Sequence, residues 1–196
     1  MAEAAAGPIG WERALMAAEK VKERLRRATQ ALDTAGIPYA VAGGNAVAEW
    51  VARVDEEAVR NTRDVDILIR RPDFPAARAC LEAVGFIYYE LLDIDTLVDG
   101  PQGKPSGRIH LLYAGEKVRQ DHDYKLPEIE ESERAAEFHV VALEALVRMK
   151  LIAWRDKDRT HLRDLIGVGL LDATWPTRFP APLGERLQRL LDDPNG

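Results

Sequence analysis

The run Tyr39-Ala40-Val41-Ala42 is short and apolar, breaks at Gly43-Gly44-Asn45, and is answered after an intervening stretch by Thr62-Arg63-Asp64-Val65-Asp66-Ile67-Leu68-Ile69. Both apolar runs read as strands. Side chains alternate faces along a strand, so Asp64 and Asp66 share one face while Val65, Ile67 and Ile69 share the other. Two residues of rise set the carboxylates about 7 Å apart, close enough to hold one divalent metal. Glycines at 43 and 44 let backbone approach a ligand closely, and a helix starting just after them points free N–H groups at any anion there. Phosphate on one side and metal on the other suits a nucleoside triphosphate. Taken singly, Gly-Gly also ends many strands and Asp-x-Asp also describes a solvated edge. The order strand, Gly-Gly, helix, Asp-Val-Asp strand is more telling.

On these residues the chain resembles the nucleotidyltransferase superfamily, and more closely its branch containing abortive-infection toxins of the AbiEii and AbiGii type. Gly43-Gly44 resembles that family's Gly-Gly/Ser signature, and Thr62-Arg63-Asp64-Val65-Asp66 its metal-binding signature. The likeness continues at Leu146-x-x-Met149-Lys150-Leu151 and at Arg155-x-Lys157-Asp158-x-x-x-Leu162-x-Asp164-Leu165, spanning roughly Tyr39 to Leu171. It implies Mg²⁺ or Mn²⁺ on Asp64 and Asp66, and nucleotide contacts from Gly43, Gly44, Asn45, Thr62, Arg63, Lys150 and Lys157. It also implies a third carboxylate on a later strand, helping to deprotonate the acceptor hydroxyl. The strand Arg108-Ile109-His110-Leu111-Leu112-Tyr113 carries His110 there instead. His110 is either a metal ligand or base, since a neutral imidazole serves as both, or a structural histidine. Asp93, Asp95 and Asp99 are the other candidates for the missing carboxylate.

At 196 residues, 46% hydrophobic and 31% charged, the chain can bury a real core and is ordinary for a globular protein. A net charge of −6 speaks against a broad nucleic-acid-binding surface, though not against a local basic patch. Cys80, the single cysteine, excludes an intrachain disulfide framework. Met1 to Gly10 lacks the basic start and apolar core of a signal peptide, and no run is long enough to cross a bilayer, so no membrane association and a cytoplasmic location are expected.

Apolar spacing predicts a helix over Trp11–Ala35, with Ala14, Leu15, Ala18, Val21, Leu25, Ala28 and Leu32 on its stripe and Gly36 as its stop. Ala46 to Val51 suits a short buried helix, with Trp50 in the core. Asp55 to Thr62 reads as a charged loop whose Arg60 and Arg63 either meet triphosphate oxygens or neutralise Asp64 or Glu57. Phe74–Val84 reads as a helix and Phe86–Leu92 as a strand, with Asp93–Gly107 a turn-rich hairpin loop. Leu143–Trp154 and Asp158–Val168 read as helices, the second capped by Asp158. Between Arg148 and Arg163 six cations face two carboxylates, so they either form salt bridges along a helical hairpin or, for Lys150 and Lys157, reach the triphosphate. Trp175 to Pro182 reads as an extended linker before a last helix, Leu183–Leu191.

The expected fold is α/β (α+β): a small mixed twisted sheet flanked by helices, with residues 1–140 forming the core and 141–196 a helical C-terminal part packed on it. The expected function is metal-dependent transfer of a nucleoside monophosphate from a triphosphate to a hydroxyl of RNA, protein or a small molecule, with an antitoxin as a further partner. The alternative is a nucleotide- or partner-binding module that keeps the fold without the reaction.

Overall fold

The computed structural model describes residues 10–91, 94–101, 107–117 and 124–193. Helix α1 (Gly10–Thr34) buries Leu25, Ala28 and Leu32, and Gly36, at φ +66°, turns the chain into strand β1 (Tyr39–Ala42). Helix α2 (Gly43–Ala52) follows with no intervening loop. Strand β2 (Val65–Ile69), helix α3 (Phe74–Ala83) and strands β3 (Phe86–Leu91), β4 (Ile94–Asp99) and β5 (Ile109–Tyr113) come next. Strands β6 (Ser132–Arg134) and β7 (His139–Val141) close the sheet, and helices α4 (Leu143–Ala153), α5 (Asp156–Gly167) and α6 (Ala181–Asp192) end the described chain.

The seven strands lie in the order β3-β4-β5-β2-β1-β7-β6, a mixed sheet in which β2 runs parallel to β5 and β1 parallel to β7. Its centre is fully buried: Ala40, Val41, Val65, Ile67, Leu68, Ile69, Ile109 and Val140 are each 0% exposed. Strands covered on both faces read as continuous apolar runs, which is why Tyr39–Ala42 and Ile67–Ile69 lack polar alternation. Among the described residues, no helix is long and apolar enough to cross a membrane.

Three expectations need correction. The stripe on α1 is buried only from its middle onward, since Ala14 and Leu15 are exposed, Leu15 at 58%, while Leu25, Ala28 and Leu32 are buried. Ile94–Asp99 is a strand rather than a loop, pairing with both β3 and β5. The segment before α6 is not extended: Trp175–Arg178 forms a 3-10 turn, and α6 begins at Ala181, Pro182 being tolerated in a first turn whose N–H groups have no helical partner. Gly184 lets α6 close on that turn, because a Cβ there would come within 2.5 Å of the Pro176 carbonyl oxygen.

The α4–α5 hairpin is locked by a buried charge cluster. Asp158, fully buried, accepts from Lys150 Nζ at 3.2 Å and from Arg155 Nε at 2.7 Å, with Lys150 itself 5% exposed. Asp158 occupies the third helical position of α5, where its carboxylate also accepts the Arg155 backbone N–H, so the cap is Arg155 and not Asp158. Burial pushes the Asp158 carboxyl up, but the bonds and charges of Arg155 and Lys150 outweigh it and hold the group below its ordinary value. Removing one partner of a buried pair strands the other charge, so Asp158→Ala should cost about 3–5 kcal/mol in denaturant unfolding. A depressed folded-state pKa contributes stability that is complete above the unfolded value and lost as pH falls through the folded one. The stability gap between wild type and Asp158→Asn should therefore hold from pH 7 to about 5 and close below about 4, as measured by unfolding across pH.

Candidate active site

The site forms where β1, β2 and β5 bring their ends together. Antiparallel pairing sets Ala42 opposite Asp66, and parallel pairing sets His110 opposite Asp66 on the other side. Partners across a sheet share a face, so Asp66 and His110 meet: His110 Nδ1 lies 3.0 Å from Asp66 Oδ1. Both side chains keep a limited opening, 23% and 24% exposed.

The chain leaving β1 passes directly over Asp66. Gly43 sits at φ +63°, and a Cβ on it would fall 1.8 Å from Asp66 Oδ2. Only hydrogen fits. A Cβ on Gly44 would likewise fall 2.8 Å from Thr62 Oγ1, so the Gly-Gly pair is required twice over, by close approach to β2 and to the segment leading into it. Ala42 caps α2 without a side-chain bond, so the first turn of α2, which begins over Asp66, has no side-chain cap. Asn45 donates to the Asp64 carbonyl at 2.8 Å, stapling the first turn of α2 to the residue before β2.

Asp64 is oriented by backbone, its Oδ1 accepting from Gly107 and Arg108 N–H groups at 3.2 and 3.3 Å. Asp64 lies just before β2, two residues ahead of Asp66. Burial alone would raise the Asp66 carboxyl, yet the hydrogen bond and charge of His110 and the charges of Lys150 and Lys157 outweigh it, so the group lies below its ordinary value. Lys150 and Lys157 therefore belong to the electrostatic surroundings of Asp66, Lys150 from inside the Asp158 cluster.

The other sequence candidates fall elsewhere. Asp95 is clasped by Tyr88 at 2.6 Å and by Tyr113, and Asp99 is held by Arg27 and by Arg24 at 3.7 Å. Asp95 is thus engaged by neighbouring strands and Asp99 by α1 rather than by the Asp66 mouth, and Asp93 lies outside the described residues. Arg63 is exposed, while Arg60 pairs with Asp164 on α5 at 2.7 Å, neither of the partners expected for it. His161, on α5, was not singled out by sequence reasoning. It is half-buried within the fields of Lys150, Lys157 and Asp66, and its one sequence signal was its place four residues after Lys157.

A divalent cation fits this donor set in a particular way. Among the described residues no group of three or more His, Cys, Asp or Glu side chains could enclose a metal. Mg²⁺ is commonly held by one or two carboxylates with the remainder from phosphate and water, so Asp64 and Asp66 are the side chains that could hold one.

No family model and no curated protein matches the sequence. Among solved structures, the chain is similar to an antigenic nucleotidyltransferase-like protein from Paracoccidioides brasiliensis, at 19% identity over 89% of this chain and 88% of that one, with a TM-score of 0.58. It is similar also to the antibiotic-resistance factor ANT(2'')-Ia, at 16% identity over 90% and 92% of the two chains and a TM-score of 0.54. JHP933 from Helicobacter pylori matches at 18% identity over 91% and 75%, with a TM-score of 0.51. At these identities the likeness is one of fold: the chain has a nucleotidyltransferase-type fold.

Comparing two glycines isolates the role of the close approach. Gly36 and Gly43 share a left-handed backbone, but a Cβ on Gly36 meets nothing within 4 Å. Gly36→Ala should lose only the left-handed strain, about 1–2 kcal/mol, whereas Gly43→Ala should lose more, because Asp66 must also move. Paired thermal or denaturant unfolding of the two variants checks this.

Proposed function

We propose that the protein is a metal-dependent nucleotidyltransferase, moving a nucleoside monophosphate from a triphosphate to an acceptor hydroxyl. The observation that carries this reading is Gly43 over Asp66: one close contact brings the start of a helix that has no side-chain cap onto a strand carboxylate, with Asp64 two residues before it. Anions bind at helix starts and cations at paired carboxylates, and a metal-bound triphosphate needs both. The similar fold of a nucleotidyltransferase-like protein supports it.

In this reading the α2 N–H groups and the Gly43-Gly44 backbone donate to phosphate oxygens, while Lys150 and Lys157 offset their charge. Thr62, Arg63 and Asn45 hold the strand mouth and its phosphate side. Asp64 and Asp66 would hold Mg²⁺ or Mn²⁺, whose chemistry is to neutralise the β- and γ-phosphates and ease pyrophosphate departure. The acceptor oxygen bonds the α-phosphorus, the bond from that phosphorus to the β-bridging oxygen breaks, and its electron pair leaves with pyrophosphate. The hydroxyl proton goes to His110 Nε2, Nδ1 being engaged with Asp66. RNA, a protein hydroxyl or a small molecule all fit this chemistry as acceptor. Action in the cytoplasm as an abortive-infection toxin of AbiEii type, restrained by an antitoxin, is the biological form that the sequence resemblance favours.

One observation favours a second reading. Asp66 Oδ1 is already engaged by His110, where the resemblance implies a carboxylate, so the chain also suits a nucleotide-binding module without transfer. Labelled-triphosphate transfer to total RNA and to protein extract separates the two. The enzyme should label an acceptor, Asp66→Ala should abolish labelling without unfolding the chain, and His110→Ala should lower it on the order of a hundredfold. Labelling by His110→Asp alone would leave the natural protein as the binding module. Equal labelling by wild type and Asp66→Ala would remove the metal assignment.

A nucleoside triphosphate with Mg²⁺ should also raise the melting temperature, since a ligand of the folded state alone stabilises it by mass action. No shift with any of the four triphosphates at millimolar concentration would overturn both readings.

A further inference from the structure

Of the six cations between Arg148 and Arg163, five have a place in the fold. Arg148, Lys150, Arg155 and Arg159 make ion pairs, and Lys157 adds its charge to the field at Asp66. Arg163 is left over. Its guanidinium has no ion-pair or hydrogen-bond partner among the described residues, and its buried Nε is unsatisfied. Arg163 follows Arg159 by four residues, so the two share a face of α5. Lys157 lies about 200° around the helix from Arg159, so this is not the face that carries it.

The arginine face turns to α6, on which α5 packs. Arg159 and Arg163, with Arg189 and Leu190 of α6, Asp193 just beyond it and Trp154 at the end of α4, line one cavity of about 420 Å³. Three guanidiniums thus face one carboxylate. Arg159 is partly met by Asp156, whereas Arg189, like Arg163, has no ion-pair partner among the described residues. Gathering cations in one cavity carries a Coulombic cost that a bound anion removes.

Trp154 gives the cavity a second character. It closes α4 in the left-handed conformation, at φ 48° and ψ 27°, where glycine or asparagine usually stands. Among the described residues no other non-glycine has a positive φ. Such strain persists where the surroundings hold it, and it collects at ligand sites. Here Arg186 does the holding: it donates to the Leu151 carbonyl at 2.6 Å and lies 5.5 Å from the indole centroid. The half-buried indole and Leu190 supply the apolar part of the lining.

We propose that this cavity is a second ligand site, which takes a phosphate monoester bearing a flat ring, of nucleotide size. Arg163 and Arg189 hold the phosphate, since a guanidinium matches two phosphate oxygens at once, and Trp154 stacks on the ring. The volume suits a small molecule. None of the lining residues serves the triphosphate reading above, so the two sites are tested separately.

Titration calorimetry in EDTA, which leaves no divalent metal for Asp64 and Asp66, tests the proposal. The probes are an adenine and a uracil nucleoside monophosphate, the two parent nucleosides and inorganic phosphate. Wild type should bind at least one monophosphate about tenfold more tightly than its nucleoside or inorganic phosphate. Arg163→Gln and Arg189→Gln should each weaken that monophosphate about tenfold, the scale of a hydrogen bond between charged groups. Trp154→Asn keeps a residue suited to the left-handed cap, and should bring the monophosphate down to the level of inorganic phosphate. Failure of wild type to bind either monophosphate at millimolar concentration overturns the proposal, and so does equal binding of nucleoside or of inorganic phosphate; these arms need no variant. Monophosphate binding that survives both arginine changes places the ligand elsewhere and also overturns it.

Discussion

The contact between Gly43 and the Asp66 carboxylate constrains the whole site. Pairing of β1 with β2 aligns Ala42 with Asp66, so the chain leaving β1 must cross that side chain, in a gap that admits no Cβ. The left-handed backbone at Gly43 then begins α2 immediately, without a loop in which the first-turn N–H groups could find other partners. Gly44 against Thr62 and Asn45 on the Asp64 carbonyl repeat the constraint along the next two residues. Helix and strand are thereby fixed to each other at three successive positions, which is the preorganisation that a site stabilising phosphate charge needs.

Charge around this contact is divided between structure and cleft. Of the cations between Arg148 and Arg163, Arg148 pairs with Glu131, Arg159 with Asp156, and Arg155 and Lys150 converge on Asp158. Salt bridging along the hairpin and electrostatic reach toward Asp66 are therefore not competing accounts of one cluster. They fall on different residues, with Lys150 serving both. Asp158 holds the Lys150 ammonium in place, and through it sets part of the field that Asp66 feels. Among the described residues Lys157 makes no ion pair, is exposed, and adds its charge to the field at Asp66.

Strands β1, β2 and β5 were legible because apolar runs and a period of two survive in the bare sequence, and the Gly-Gly break marked the start of α2. Strand β4 was hidden because Asp95 and Asp99 read as turn residues. Their partners, Tyr88, Tyr113, Arg24 and Arg27, come from other elements, and nothing local records that these acids are engaged. The same limit explains Asp158, whose carboxylate at a helix start looked like an ordinary cap until the buried Lys150 beneath it was placed. Spacing in the sequence singles out Asp64, Asp66 and the glycines, whereas the meeting of His110 with Asp66 depends on a cross-strand register that the sequence leaves open.

That register also decides how the resting site is balanced. Whatever residue stands at 110 lies beside Asp66, by the parallel pairing of β2 and β5. A carboxylate there would set two like charges about 3 Å apart, each disfavouring ionisation of the other until a cation joined them. An imidazole instead bonds Asp66 and helps to hold its carboxyl below the ordinary value, with the lysines adding to the effect. The site is thus electrostatically satisfied by its own side chains, and Asp66 is held ionised with one oxygen engaged and the other beneath the backbone of Gly43. A ligand entering here meets a carboxylate already charged and aimed, and must compete with one histidine rather than relieve a repulsion.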